Sequence, residues 1–173
     1  MKFLIIDTSG PDSFVSLYLD GKLVTEHLPS IRQSLTLLPA IQKLLKNQTI
    51  DFIAVGTGPG SFTGTRIGVI TAKTLAFAKK LPLVPFCSLK IYTPDKEGPF
   101  TLCSDAKSGG LFILEGIRTS KSATFKTPYI KEGKKPLSKS LNLPFMGVYL
   151  LEKFLETQEN PPSEIEVCYL KNP

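Results

Sequence analysis

The chain opens with an apolar run from Phe3 to Ile6 that closes at Asp7, so Lys2 to Asp7 reads as a strand buried on both faces. Ser13 to Leu19 alternates apolar and polar positions, and Asp20-Gly21 suits the left-handed backbone of a two-residue hairpin turn. That turn leads into a third strand, Lys22 to Leu28. Ser34 is placed to cap a helix carrying Leu35, Leu38, Ile41, Leu44 and Leu45, with Pro39 inside its early turns. A fourth strand at Asp51 to Val55 is followed by a glycine-rich loop, a helix over Phe62 to Lys79 and a fifth strand at Pro82 to Phe86. The expected order is β-β-β-α-β-α-β.

The pattern changes at Tyr92 to Pro99, YTPDKEGP, which has the composition of a connector. Two lobes are expected: residues 1–95, and a shortened second lobe over 96–173 whose C-terminal segment is placed to pack back on the first. In the second lobe, Thr101 to Ser104 and Leu111 to Glu115 read as strands flanking the turn-rich DAKSGG, and Thr119 to Lys139 is polar and weakly patterned. Leu143 to Val148 reads as a strand followed by a short helix through Leu155, and EIEVCYL over 164–170 reads as extended.

Composition narrows the class. With 42% hydrophobic and 21% charged residues in 173, the chain has the makeup of a folded α/β protein rather than a disordered one. The net charge of +6 is scattered; its richest stretch, Arg118 to Lys139, has no block of five like charges. Basicity therefore fits an RNA-associated pathway without marking a binding arm. Three cysteines, Cys87, Cys103 and Cys168, with no CxxC spacing argue against a disulfide framework or a structural zinc site and for a reducing compartment. The run from Phe3 to Ile6 is too short for a signal core or a membrane span, so a cytoplasmic location with no membrane partner is expected.

The candidate chemistry centres on Gly56 to Gly68, GTGPGSFTGTRIG. A loop between a strand and a helix start offers unpaired N–H groups to an anion. The Lys of a Walker loop is missing, the third small residue of a dinucleotide loop is missing, and Ser61 lacks the flanking glycines of a hydrolase elbow. The residues alone suggest that Gly58 and Gly60 permit a tight turn around Pro59, with Ser61 or Thr63 capping the helix. Asp7 and Asp105 each follow an apolar strand and could face one another across a cleft to hold a divalent ion, as in an ATPase or an RNase-H-like nuclease. Each could equally cap a turn, Asp7 with Thr8 and Ser9. His27 is the sole histidine, so no metal site is expected.

Along the second helix Gly64, Gly68, Ala72 and Ala76 recur every four residues and form a flat ridge for a closely packed helix, internal or from another chain. On the first helix Leu35, Leu38 and Leu45 share a stripe beside a second one of Leu37, Ile41 and Leu44, a broad apolar surface. If the ridge faces a partner, Gly68→Leu or Ala72→Leu should block association and leave the monomer folded.

These segments together carry a family resemblance. MKFLIIDTSGPDSFVSLYLDGKLV, LLPAIQKLL and DFIAVGTGPGSFTGTRIGVITAKTLA resemble the TsaB family, also called YeaZ, strongly over about residues 1–90. FTLCSDAKSGGLFIL and the closing EVCYLKNP are similar more weakly, with Gln33 where many relatives have His and Lys171 where they have Arg. The resemblance implies the actin-like, sugar-kinase and heat-shock ATPase (RNase H-like) fold. It implies a non-catalytic scaffold that binds TsaD in forming N6-threonylcarbamoyladenosine in tRNA, with TsaE as a further partner and tRNA engaged through the complex. The catalytic relative TsaD uses an HxxxH metal motif that this chain lacks. No intrinsic cofactor is implied, though ATP or ADP can sit at the junction with TsaD and TsaE. Family members pair through the two first-lobe helices, here Leu37, Leu38, Ile41, Leu44 and Leu45 with Gly64, Ile67, Gly68, Thr71, Ala72 and Leu75. The chain alone is expected as a homodimer, and Asp7, Thr8, Gly58, Gly60, Ser61 and Asp105 as a remnant nucleotide site. A simple homodimeric binding module is the remaining alternative.

Overall fold

A computed structural model describes residues 1–29, 32–46, 48–106, 109–133, 140–159, 167–168 and 170. The first sheet is built from β1 (Lys2–Asp7), β2 (Phe14–Leu19), β3 (Lys22–His27), β4 (Phe52–Gly56) and β5 (Leu83–Phe86). Its order is β3-β2-β1-β4-β5, with the first three strands antiparallel and β1, β4 and β5 parallel. The turn joining β2 to β3 has φ of 47° at Asp20 and 92° at Gly21, the doubly left-handed geometry that the Asp-Gly pair selects.

Because strand side chains alternate, β1 sends Leu4 and Ile6 to one face and Phe3 and Ile5 to the other. The first face is covered by α1 (Gln33–Leu45) and α2 (Phe62–Lys79). The second face is covered by α3 (Leu143–Glu159), so a helix from the far end of the sequence completes a three-layer α/β/α sandwich. A ladder of stacked rings, Tyr18 on Phe3, Phe3 on Phe52 and Phe52 on Phe154, runs from the sheet into α3 with centroid separations of 4.1–4.5 Å.

A second sheet is formed by β6 (Gly98–Asp105), β7 (Gly110–Arg118), β8 (Ala123–Phe125) and β9 (Tyr129–Glu132). All neighbours are antiparallel; β6 pairs along β7, leaving β7's other edge to β8 and β9 in turn. A 3₁₀ turn over Ser88–Tyr92 connects the two sheets, and its Leu89 packs with Leu102, Phe112 and Leu114 of the second.

Two local expectations are corrected. Ser34 does not cap α1: Arg32 precedes the helix in a left-handed conformation (φ 59°) without a side-chain cap, and Ser34 lies inside the first turn. Leu143 to Val148 is helix rather than strand. Asn142 accepts a bond from the Phe145 N–H at 3.1 Å, Pro144 fits the first turn, and Met146, Leu150 and Phe154 bury an i, i+4 row. A short apolar run gives no periodicity that separates strand from helix, and the capping residue decides. The weakly patterned stretch from Thr119 to Lys139 holds the short β8 and β9. The extended reading of 164–170 lies mostly outside the described residues; within it, the Cys168 N–H bonds the Thr57 carbonyl at 2.7 Å.

Candidate functional site

The glycine-rich loop leaves the C-terminal end of β4 and enters α2, with Gly58 at φ 91°. Ser61 caps the helix: its hydroxyl oxygen accepts the Gly64 N–H at 3.2 Å, while its carbonyl accepts the Thr65 hydroxyl at 2.7 Å. The loop is occupied by its own chain. The Ser61 N–H donates to the Ser9 carbonyl at 2.6 Å, and the Thr8 hydroxyl donates to the Gly64 carbonyl at 2.7 Å. A Cβ on Gly60 would collide with the Ser9 carbonyl, one on Gly64 with the Thr8 carbonyl, and one on Gly68 with the Thr8 hydroxyl. These three positions are glycine because the turn after β1 lies directly on the start of α2. The motif that reads as a phosphate cradle is a seat for Thr8 and Ser9.

This seating corrects the ridge. Gly64, Gly68, Ala72 and Ala76 are all buried, and Ala72 and Ala76 pack into the core with Leu4, Ile6 and Leu37. Gly68→Leu would therefore clash with Thr8 and damage the fold, rather than leave a folded monomer. On α1, Leu37 and Ile41 are each 1% exposed, and Leu44 and Leu45 are also buried against the sheet. None of these four, nor Gly64, Gly68 and Ala72, presents a side chain at the surface. Ile67, Thr71 and Leu75 are half-buried, and Leu38 is exposed.

The surface-facing apolar residues lie elsewhere. Phe62, Ile70 and Phe77 occupy the outer face of α2, Ile70 at 66% and Phe77 at 88% exposure; Leu35 and Leu38 do so on α1, which packs beside α2. The Arg66 guanidinium lies 3.7 Å from the centre of the Phe62 ring. Phe62, Ile70 and Phe77 are eight and seven residues apart, about two helical turns each, on the side away from the small-residue ridge, a signal visible in the sequence once the ridge is assigned to the core.

Asp7 and Asp105 stand at the ends of strands in different sheets and differ in exposure. Asp7 is 1% exposed, with Oδ1 accepting the Ser9 N–H at 2.8 Å and Oδ2 lacking a hydrogen-bond partner. Oδ2 stands against Gly56 so closely that a Cβ there would collide with it. Burial raises the Asp7 pKa above its ordinary value, outweighing the Ser9 bonds; the nearby Ser88 hydroxyl favours the charged form without meeting Oδ2 in bonding geometry. Asp105 is exposed at the end of β6 in the other sheet. Among the described residues no three His, Cys, Asp or Glu side chains come together to hold a metal ion, and no helix is long and apolar enough to cross a membrane. Gln33, at the start of α1, donates to the Ser13 hydroxyl oxygen at 2.7 Å.

Residues 29–169 match the family profile described as TsaD, tRNA N6-adenosine threonylcarbamoyltransferase. The chain is 31% identical over 122 residues to the tRNA threonylcarbamoyladenosine biosynthesis protein TsaB of Bacillus subtilis, covering 65% of this chain and 53% of that one. It is 36% identical over 96 residues to TsaB of Escherichia coli, covering 51% and 41%. An uncharacterized Mycoplasma pneumoniae protein, the MG208 homolog, is 31% identical over 158 residues, covering 83% and 80%. The chain thus spans about half the length, or less, of these two TsaB relatives. In three dimensions it resembles a Pseudomonas aeruginosa chain described as similar to peptidase YEAZ, with a TM-score of 0.78, 19% identity and coverage of 98% and 99%. YeaZ from the same organism gives a TM-score of 0.73 at 20% identity, covering 91% and 92%. The actin-like fold expected from the sequence is the fold observed.

Proposed function

Since the chain belongs to the TsaB (YeaZ) family, we infer that it serves the biosynthesis of threonylcarbamoyladenosine in tRNA as a non-catalytic subunit supporting a TsaD homologue. The observation that carries this reading is the contrast at the glycine-rich loop. Its inner side is filled by Thr8 and Ser9, whereas the outer face of α2 carries Phe62, Ile70 and Phe77 in solvent. A loop seated on its own chain is poorly suited to hold a nucleotide in the isolated protein. Exposed aromatic and aliphatic side chains on a rigid helix are suited to a partner.

On this reading the TsaD homologue, or a second copy of the chain when it is alone, docks on the outer residues of α2 together with Leu35 and Leu38 of α1. A TsaE homologue joins the assembled pair, ATP or ADP binds at that junction, and tRNA is engaged through the complex. Ile67, Thr71 and Leu75 flank the docking face, and the ridge and inner α1 leucines act through the shape they give the two helices. The burial of Asp7, whose Oδ1 accepts the Ser9 N–H, favours this reading over an independent ATPase or nuclease.

The test is reconstitution of the modified nucleoside from purified components. The chain alone is expected to form none, and its addition to a TsaD homologue, a TsaE homologue, ATP and an activated threonylcarbamoyl donor is expected to raise the yield at least about tenfold. Equal yields with and without the chain would contradict the scaffold role.

A further inference from the structure

Arg66 and Lys73 stand in the same stripe of α2 as its exposed apolar side chains. Phe62, Arg66, Ile70, Lys73 and Phe77 follow one another at spacings of four, four, three and four residues, so they share one side of the helix, and all five are exposed. Lys79 and Lys80 suit the C-terminal end of the helix dipole, but Arg66 and Lys73 lie too far from that end to serve it. Neither α1 nor α2 contains an Asp or Glu. Lys43 of α1 pairs with Glu26 of β3 at 2.7 Å, whereas among the described residues no carboxylate comes within ion-pair distance of Lys73.

We propose that Arg66 and Lys73 make this face select a partner protein whose apolar surface bears carboxylates, and disfavour a second copy of the same chain, a selection that rests on the outer face of α2 being the docking face. In a two-fold pair the stripe meets itself, so the cations of one copy enter a surface that already carries the same cations, with no acid on either helix. Like charges held together at a desolvated contact oppose association, and carboxylates on a different partner reverse the sign. Ile70 and Phe77 alternate with the cations, and Leu35 and Leu38 are exposed on α1, which favours a protein over RNA. A phosphate backbone would meet the cations and leave the aliphatic side chains without a counterpart.

The test compares the full-length parent with an Arg66→Gln, Lys73→Gln double variant of unchanged melting temperature. In calorimetric titration against a purified TsaD homologue, the parent should lose at least about fivefold in affinity between about 0.05 M and about 0.5 M salt. At the lower salt the variant should bind at least about tenfold more weakly than the parent. Sedimentation of each chain alone should move the opposite way, with self-association at least about fivefold tighter in the variant. Damage to the helix would weaken both contacts, and only a charge effect moves them apart. Equal affinity of parent and variant for the homologue, or weaker self-association in the variant, would overturn the selection while leaving α2 as the docking face. No binding of the homologue by the parent at either salt would overturn both. Binding of tRNA by the parent that the two substitutions abolish, with the homologue bound unchanged, would overturn it in favour of RNA.

Discussion

The inner and outer faces of α2 follow different rules within one helix. On the inner face Gly64, Gly68, Ala72 and Ala76 are small because the turn after β1 and the core beneath leave no room for more. On the outer face Phe62, Ile70 and Phe77 are large and exposed, Ile70 and Phe77 most of all. Small residues at helical spacing in the sequence invite the thought of a docking partner, and the partner they serve is the chain itself. What is left over for another molecule is the apolar face that core packing does not require.

Breaking the inner face should have the largest effect. Gly64→Val drives a branched side chain into the Thr8 carbonyl, and urea unfolding should show a loss of about 3 kcal/mol. Stability unchanged by this substitution would mean that the Thr8 seat is not rigid.

Asp7 lies beside that seat, and its protonation should be visible in the pH dependence. Its folded pKa is raised above the ordinary value of 3.8, so the stability it contributes is complete below that value and declines as the pH rises through the folded pKa. In Asp7→Asn this decline should disappear. At neutral pH the variant should exceed the parent by about 1–2 kcal/mol, the scale of a relieved unsatisfied polar group. Parallel stability–pH curves for the two chains would rule out this role for Asp7.

Ser61→Ala removes the cap of α2 and should cost about 1 kcal/mol without altering the yield of modified tRNA. A large loss of yield with normal stability would instead point to Ser61 chemistry. The smallest expected change in stability is on the outer face, where Phe77→Glu should shift unfolding by less than about 0.5 kcal/mol.

Local rules made the first sheet legible. The two-faced apolar run of β1, the Asp20-Gly21 turn and the Phe62–Lys79 helix each carry a periodicity or a turn residue with one structural reading. Legibility falls where the deciding contact is distant in sequence. The helix at Leu143–Glu159 is apolar in short runs that suit either period, and it is fixed by Asn142 and by burial on Phe52 and Tyr18. The start of α1 at Arg32 has no capping side chain to announce it.

The candidate site was half legible for the same reason. Gly60, Gly64 and Gly68 mark a close approach, but nothing in their spacing says that the approaching group is Thr8 and Ser9, more than fifty residues earlier. The leucines of α1 divide between core and surface by rotation about the helix. Leu37 and Leu38 are adjacent in the chain and opposite in burial, at 1% and 50% exposure.

The central claim is that the outer face of α2, rather than its small-residue ridge, receives the partner. Titration calorimetry of the chain against a purified TsaD homologue tests it directly, with the parent compared to an Ile70→Glu, Phe77→Glu double variant of unchanged melting temperature. The account predicts micromolar or tighter binding by the parent and at least about a thirtyfold loss in the variant, the scale of about 2 kcal/mol at an interface centre. Equal affinity for the two chains would contradict it.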